Sequence, residues 1–206
     1  MSDNISRVFY INLRKRPDRK EQIEEELKNY GLIDNSERFE AIETNGFGIL
    51  GCTQSHLATY KLAKERGYKN VLILEDDFYF VISKEELEEQ IKRLFTEKPD
   101  FDVVMLSYNV DKMGPCESHD FLQKPVSGAQ TASGYIVNEK MYDKLIELYE
   151  YAIPLLESTR EHWNYANDQI WKKLQPTNEW YCFTKRCGKQ RDGYSDNSLS
   201  FTSYGC

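Results

Sequence analysis

Residues 71–77 read Val71-Leu72-Ile73-Leu74-Glu75-Asp76-Asp77. The first four are apolar with no polar alternation, which predicts a central strand covered on both faces. Three carboxylates follow without a break, and their mutual repulsion is costly unless cations or hydrogen-bond donors are brought to them. A divalent cation is the economical answer, and hard oxygen ligands suit Mg²⁺ or Mn²⁺. The plainer reading of the same residues is a solvated acidic turn that caps a helix.

Upstream, Val8-Phe9-Tyr10-Ile11-Asn12-Leu13 is a second short apolar run, and Arg14-Lys15-Arg16-Pro17-Asp18-Arg19-Lys20 follows it at the start of a predicted helix bearing Ile23, Leu27 and Tyr30. Basic residues at a helix N-terminus favour anionic groups. A solvated basic turn is the competing reading, but an acidic site at the equivalent end of another strand favours a nucleoside diphosphate held between a metal and guanidinium groups. Arg38–Ile42 predicts a weaker strand, and Gly46, Gly48 and Gly51 an irregular loop. Thr53 is placed to cap a helix over 53–66, on which Cys52, Ser55, Thr59 and Ala63 form a stripe of small side chains.

Downstream, Ser83-Lys84-Glu85-Glu86 has the form of a capping box, and Leu87, Ile91, Leu94 and Phe95 give its helix an apolar stripe that stops before Pro99. Asp102–Leu106 predicts a strand, 108–128 a long surface loop, and Ala129–Val137 another strand. Asn138 begins a helix closed off by Pro154, and a further helix is expected over Asn167–Leu174. From Thr177 the Gly, Ser, Asn and basic residues predict a loose tail, 177–206, wrapping the domain or covering the site. Strands alternating with helices imply a single domain over 1–206 with an α/β/α sandwich and a mostly parallel sheet, its ligands beyond the carboxyl ends of the strands.

The composition narrows the function. At 206 residues a chain buries roughly 70% of its unfolded surface without disulfides or metals. With 27 Lys and Arg against 34 Asp and Glu, the net charge of −7 argues against a nucleic-acid partner. No basic leader or stretch of about 20 apolar residues is seen, so a soluble cytoplasmic protein is expected, with peripheral membrane contact left open. Five cysteines, an odd number without metal-finger spacing, are read as reduced thiols, and the Cys182-x4-Cys187 pair as small buried side chains.

Tyr10-Ile11-Asn12-Leu13 with Arg16, Asp18 and Arg19, then Gly51-Cys52-x-x-Ser55-His56 with Ala63, then Leu72-Ile73-Leu74-Glu75-Asp76-Asp77, together resemble glycosyltransferase family 25. This family includes lipopolysaccharide and collagen galactosyltransferases. Ala132-Ser133-Gly134-Tyr135-Ile136-Val137 and Asn167-Asp168-Gln169 with Trp171 continue the resemblance, and Gln190, Ser195 and Asn197 match the closing segment more weakly. The resemblance implies a GT-A fold, a nucleotide-sugar donor, a divalent metal and inversion at the anomeric carbon. It makes Asp77, with Glu75, the expected metal contacts, and Asn12, Leu13, Arg16, Arg19, Ser55, His56 and Asp76 the expected donor-binding residues.

An inverting displacement needs a base near the acceptor hydroxyl. Asp168 is the candidate, with Asp192 and Asp196 as fallbacks; an N-terminal helix carboxylate, or an i,i+4 pair with Lys172, is the bland reading of Asp168. The expected reaction moves galactose or glucose from a UDP-sugar to a glycan, lipid-linked sugar or hydroxylysine hydroxyl, in a bacterial cytoplasm or viral factory. A phosphohydrolase or nucleotidyltransferase using the same carboxylates is the rival enzyme, and a degenerate sugar-nucleotide binder the rival without turnover. Tyr108, Trp163, Trp171 and Trp180 are read as core aromatics ahead of sugar-stacking platforms.

Overall fold

The computed structural model describes residues 4–195, 200–202 and 205. Along the chain run β1 (Arg7–Asn12), α1 (Pro17–Asn29), β2 (Ser36–Glu40), α2 (Gly48–Glu65), β3 (Asn70–Glu75), β4 (Phe78–Phe80), α3 (Lys84–Glu97), β5 (Val103–Met105), β6 (Met113–Pro115), β7 (Leu122–Pro125) and β8 (Gly134–Asn138). They are followed by α4 (Tyr142–Thr159), α5 (His162–Tyr165), α6 (Asn167–Ile170), β9 (Trp180–Phe183), β10 (Gly188–Gln190), β11 (Gly193–Ser195) and β12 (Ser200–Thr202).

The main sheet has the order β2-β1-β3-β8-β5-β9-β7-β6. Strands β2, β1, β3, β5, β9 and β6 point one way; β8 and β7 oppose them. The expected mostly parallel α/β sheet is therefore present, with two reversed strands, β8 inserted between β3 and β5 and β7 between β9 and β6. Residue alternation sorts the core into two layers. Val8, Tyr10, Leu72 and Leu74 pack with Ile23 and Leu27 of α1 and Leu87, Ile91 and Leu94 of α3. Phe9, Ile11, Val71 and Ile73 pack with Tyr60 of α2 and Leu145 and Tyr149 of α4. A strand buried on both faces needs no polar alternation, which is why residues 71–74 read as they do.

Several boundaries differ from the sequence reading. Helix α2 starts at Gly48 rather than Thr53, and the Thr53 hydroxyl donates to the Ile49 carbonyl (2.9 Å) inside the helix. Gly51 is therefore helical, and a Cβ there would stand 2.2 Å from the Ile42 carbonyl oxygen, so only glycine lets the preceding loop approach. Helix α4 continues through Pro154 to Thr159: the ring is on the exposed side of the helix, where a freed backbone carbonyl need not be buried. The 108–128 loop contains the β6–β7 hairpin, which extends the sheet edge. The helix expected over 167–174 is a turn of α-helix followed by 3₁₀ geometry.

The expected tail corrects most. Trp180–Phe183 is a fully buried strand between β5 and β7, so the sheet is completed by the segment read as loose. Strand β10 then pairs with β4, immediately after the acidic triplet. The Phe78 ring lies against both Gly134 and Gly188, where added Cβ atoms would come within 2.4 and 2.1 Å of it. This close fit fixes the backbone that follows Asp77. The capping box is as expected, with Glu86 N donating to Ser83 Oγ and Ser83 N to Glu86 Oε2.

Candidate active site

The acidic triplet stands at the carboxyl end of β3, beside that of β1. A cavity of about 280 Å³ opens there, lined by Leu13, Lys15, Arg19, the loop 41–48, Cys52, Glu75, Asp76, Asp77 and Gln190. The loop is clamped to α2 from below: Ser55 Oγ donates to the Gly51 carbonyl (2.7 Å) and accepts from Ile42 N (2.8 Å). Thr44 Oγ1 accepts from Gly51 N at 3.2 Å. The Gly51-x-x-x-Ser55 spacing thus builds a cavity wall.

Asp76 and Asp77 are 7% and 8% exposed, and among the described residues one guanidinium, that of Arg19, is ion-paired with them. Arg19 Nη1 donates to Asp76 Oδ1 (2.9 Å) and Asp77 Oδ2 (3.2 Å). Asn12 Nδ2 adds a 2.7 Å bond to Asp76 Oδ2, while Asn12 Oδ1 accepts from Arg38 Nε. Burial still leaves the Asp76 carboxyl above its ordinary pKa, against the pull of Arg19. Asp77 is pushed up to about 7, by burial first and then by the charge of Glu75.

Glu75 is held differently. Its Oε1 faces His56 Nε2 at 3.0 Å and accepts from Cys52 Sγ at 3.4 Å. Burial raises its pKa, but the His56 hydrogen bond and charge, helped by Cys52, bring it below the ordinary carboxylate value. Glu75 Oε2 and Asp77 Oδ1 converge on one donor, the Gln190 amide nitrogen, at 3.5 and 3.4 Å. Glu75 Oε2 and Asp77 Oδ1 thus share one long, neutral donor, while the other oxygen of each carboxylate is held by His56 and Cys52 or by Arg19. An all-oxygen pair of this kind fits a hard divalent cation.

Of the residues expected at the donor, Leu13, Arg19, Glu75, Asp76 and Asp77 line the cavity. Asn12, Ser55 and His56 are buried behind its wall, each bonded to a group that lines or shapes it. The Arg16 guanidinium turns to Asp18 (2.7 Å), so among the basic turn residues Arg19 and Lys15 reach the cavity instead. Sequence reasoning missed the wall-lining roles of Lys15 and Cys52 and undervalued Gln190, whose signal was its weak match to the family's closing segment.

Asp168 opens α6 and is partly buried. Its Oδ2 accepts from Thr131 N (3.1 Å) and its Oδ1 from Gln169 Nε2 (3.2 Å). Thr131 has φ 83°, a left-handed conformation rare outside glycine. Burial raises the Asp168 pKa against the Thr131 N–H, and the charge of Glu75 raises it further. Lys172, the expected ion-pair partner, instead gives its ammonium to Gln130 Oε1 and Gln169 Oε1. Asp192 is exposed on the rim of a neighbouring cavity with Lys189 and Arg191. Asp196 and Asn197 lie outside the described residues.

Trp171 and Trp180 are core residues in edge contact, and Tyr108 is buried. Trp163 departs from the expectation, being 61% exposed. Cys182 and Cys187 are free and buried, and burial pushes both thiols up.

The carboxylates and the cavity thus stand where open α/β sheets bind their ligands, beyond the carboxyl ends of the strands. The sequence profile of glycosyltransferase family 25 (LPS biosynthesis protein) matches residues 44–170, and the chain belongs to that family. Among solved structures, a glycosyltransferase involved in the glycosylation of the major capsid of PBCV-1 superposes with a TM-score of 0.54 at 12% identity, over 85% of this chain and 79% of that one. The mannose-1-phosphate geranyltransferase of Thermus thermophilus gives 0.52 at 9% identity, over 90% and 76%. At such identities the likeness is one of fold. No curated protein matches the chain in sequence. Among the described residues no helix is long and apolar enough to cross a membrane.

Proposed function

We propose that the protein is a metal-dependent, inverting hexosyltransferase that uses a UDP-sugar, galactose or glucose being the first candidates, and a hydroxyl acceptor on a glycan, lipid-linked sugar or hydroxylysine. The observation that carries this reading is the convergence of Glu75 and Asp77 on the weak Gln190 contact inside a cavity that also presents Arg19 and Lys15. Asp77 and Glu75 would hold Mn²⁺ or Mg²⁺, which when bound supplies Lewis-acid stabilisation of the departing diphosphate. Arg19, shared by Asp76 and Asp77, would be available to phosphate where a cation satisfied Asp77, and Lys15, paired with Glu43 at 2.8 Å, stands on the same side. Leu13 and the 41–48 loop form the wall against which the nucleoside lies.

Asp168 is the proposed base. It takes the acceptor hydroxyl proton as the acceptor oxygen bonds to the anomeric carbon and the carbon–oxygen bond to the diphosphate breaks. Burial and the neighbouring Glu75 charge raise its basicity, as the role requires. The domain is proposed to span the whole chain, with the segment after β9 returning Gln190 to the site. The test is product stereochemistry: an α-linked UDP-hexose should give a β-linked product by NMR, with nucleoside diphosphate released in equal amount. An α-linked product would refute inversion, and release of UMP and sugar phosphate would identify a phosphohydrolase.

A further inference from the structure

Beneath the cavity, polar side chains from five elements close into one ring. From Glu75 it passes to His56, whose Nδ1 is 2.6 Å from Tyr135 Oη. Tyr135 Oη is 2.7 Å from Tyr60 Oη, which lies 3.4 Å from Tyr149 Oη; Tyr149 donates to the Asn167 carbonyl at 3.0 Å. Asn167 Nδ2 returns to Cys52 Sγ at 3.6 Å, and Cys52 donates to Glu75. Cys52, His56 and Tyr60 recur every fourth residue, so a single face of α2 supplies three of the members.

Packing alone does not call for these hydroxyls. Tyr60 and Tyr149 already meet edge to face at 5.3 Å, and Tyr135 meets Trp171 in the same way at 5.1 Å. Phenylalanine would keep those contacts, whereas a buried hydroxyl is costly unless partnered. Here the hydroxyls are partnered with one another, in a line whose two ends are a cavity carboxylate and the residue preceding Asp168.

Each hydroxyl has one proton, so the ring has few arrangements. Tyr149 spends its proton on the Asn167 carbonyl. A neutral His56 accepts at Nδ1 from Tyr135, which accepts from Tyr60, leaving no proton for the 3.4 Å Tyr60–Tyr149 contact; a charged His56 donates to Tyr135 and turns the Tyr135 and Tyr60 protons toward Tyr149, the direction in which Tyr60 donates to Tyr149. In both arrangements Nε2–H stays aimed at Glu75.

We propose that Tyr60, Tyr135 and Tyr149 are positioning residues, whose hydroxyl chain fixes Glu75 on the donor side relative to Asn167–Asp168 on the acceptor side. None of the three lines the cavity, so they act through the groups that do. Because misplacement by about 1 Å can cost roughly 10²-fold in rate, loosening the ring should lower kcat while leaving ground-state donor binding largely alone.

The activity arm of this inference rests on the glycosyl-transfer reading. Tyr60→Phe and, separately, Tyr149→Phe should each lower kcat roughly tenfold with donor KM changed less than about twofold. A lower Tm with unaltered kcat would overturn the proposal, since it would make the hydroxyls merely structural. The second arm needs no turnover: ¹⁵N NMR of the His56 imidazole in the full chain. Tyr149→Phe, three hydrogen bonds away along the chain, should shift the Nδ1 resonance. An unmoved resonance would show that the hydroxyls are uncoupled and would overturn the ring even if transfer itself is never found. A wild type inert toward every nucleotide sugar would count against the proposed function, and the NMR result would then decide the ring by itself.

Discussion

The two ends of the acidic triplet are stabilised by different chemistry. Asp76 and Asp77 share one guanidinium, and that is too little: burial wins and both carboxyls are raised. Glu75 has an imidazole and a thiol backed by a line of buried hydroxyls, and its carboxyl is lowered. In the proposed reading His56 and Cys52 anchor Glu75 at Oε1, and the receptor end, Asp77 with Glu75 Oε2, would take a cation with its diphosphate.

The sharpest way to break this contrast is Asp77→Asn. It should reduce metal-dependent transfer by about 10³-fold, the scale of losing a dominant electrostatic contact. It should also raise the Tm of the metal-free protein at pH 8, because a buried like charge is gone. A lower Tm there would mean that Asp77 is already compensated. Next in size, Asp168→Asn should cut transfer by about 10²-fold while donor binding, followed by calorimetry, stays unchanged. A normal rate would move the base elsewhere.

Arg19→Ala removes the only cation seen at Asp76 and Asp77 among the described contacts, and stranding buried carboxylates in this way costs about 3 kcal/mol. Chemical denaturation should show that loss, and added Mn²⁺ should recover part of it. Stability that does not move would place the carboxylates in better solvent contact than their burial indicates.

The pH dependence has a definite sign. The folded protein holds a proton on Asp77 up to about pH 7, whereas the unfolded chain releases it near the ordinary value of 3.8. The stabilisation from that proton is complete below pH 4 and is lost as pH rises through 7. A bound cation must displace the same proton, so the gain in Tm from Mn²⁺ should grow from pH 6 to pH 8. Asp77→Asn should flatten this trend, and a gain that shrinks with pH would contradict the assignment. The smallest effect is expected from Arg16→Ala. Its guanidinium is occupied by Asp18 outside the cavity, so nucleoside diphosphate affinity should change by no more than about twofold, which is the order of an exposed ion pair.

How much of this was legible depended on how local the signal was. Residues 71–77 and the Ser83–Glu86 box announce themselves because burial on both faces and cap chemistry each act within a few residues. Trp180-Tyr181-Cys182-Phe183 carried a strand signal of the same kind, but the glycine-rich, charged surroundings hid it. Pro154 misled because its penalty depends on which side of the helix faces water. At the site, sequence spacing found the carboxylates and Arg19, whose roles follow from their place on β1 and β3. It could not show that His56 and Ser55 serve from behind the wall, nor that β10 returns Gln190 to Glu75 and Asp77. The first relations join residues 13 and 19 positions apart through the folding of α2 against the loop and β3, and the last joins segments more than a hundred residues apart.

The central claim is that the receptor end of the triplet takes a cation together with a sugar nucleotide. It is tested most directly by nucleoside diphosphate release from a panel of nucleotide sugars, with Mn²⁺ and with chelator, in wild type and Asp77→Asn. The account predicts slow, Mn²⁺-dependent release from one donor, abolished by chelator and by the substitution. Release that persists in chelator, or that Asp77→Asn leaves intact, would contradict it.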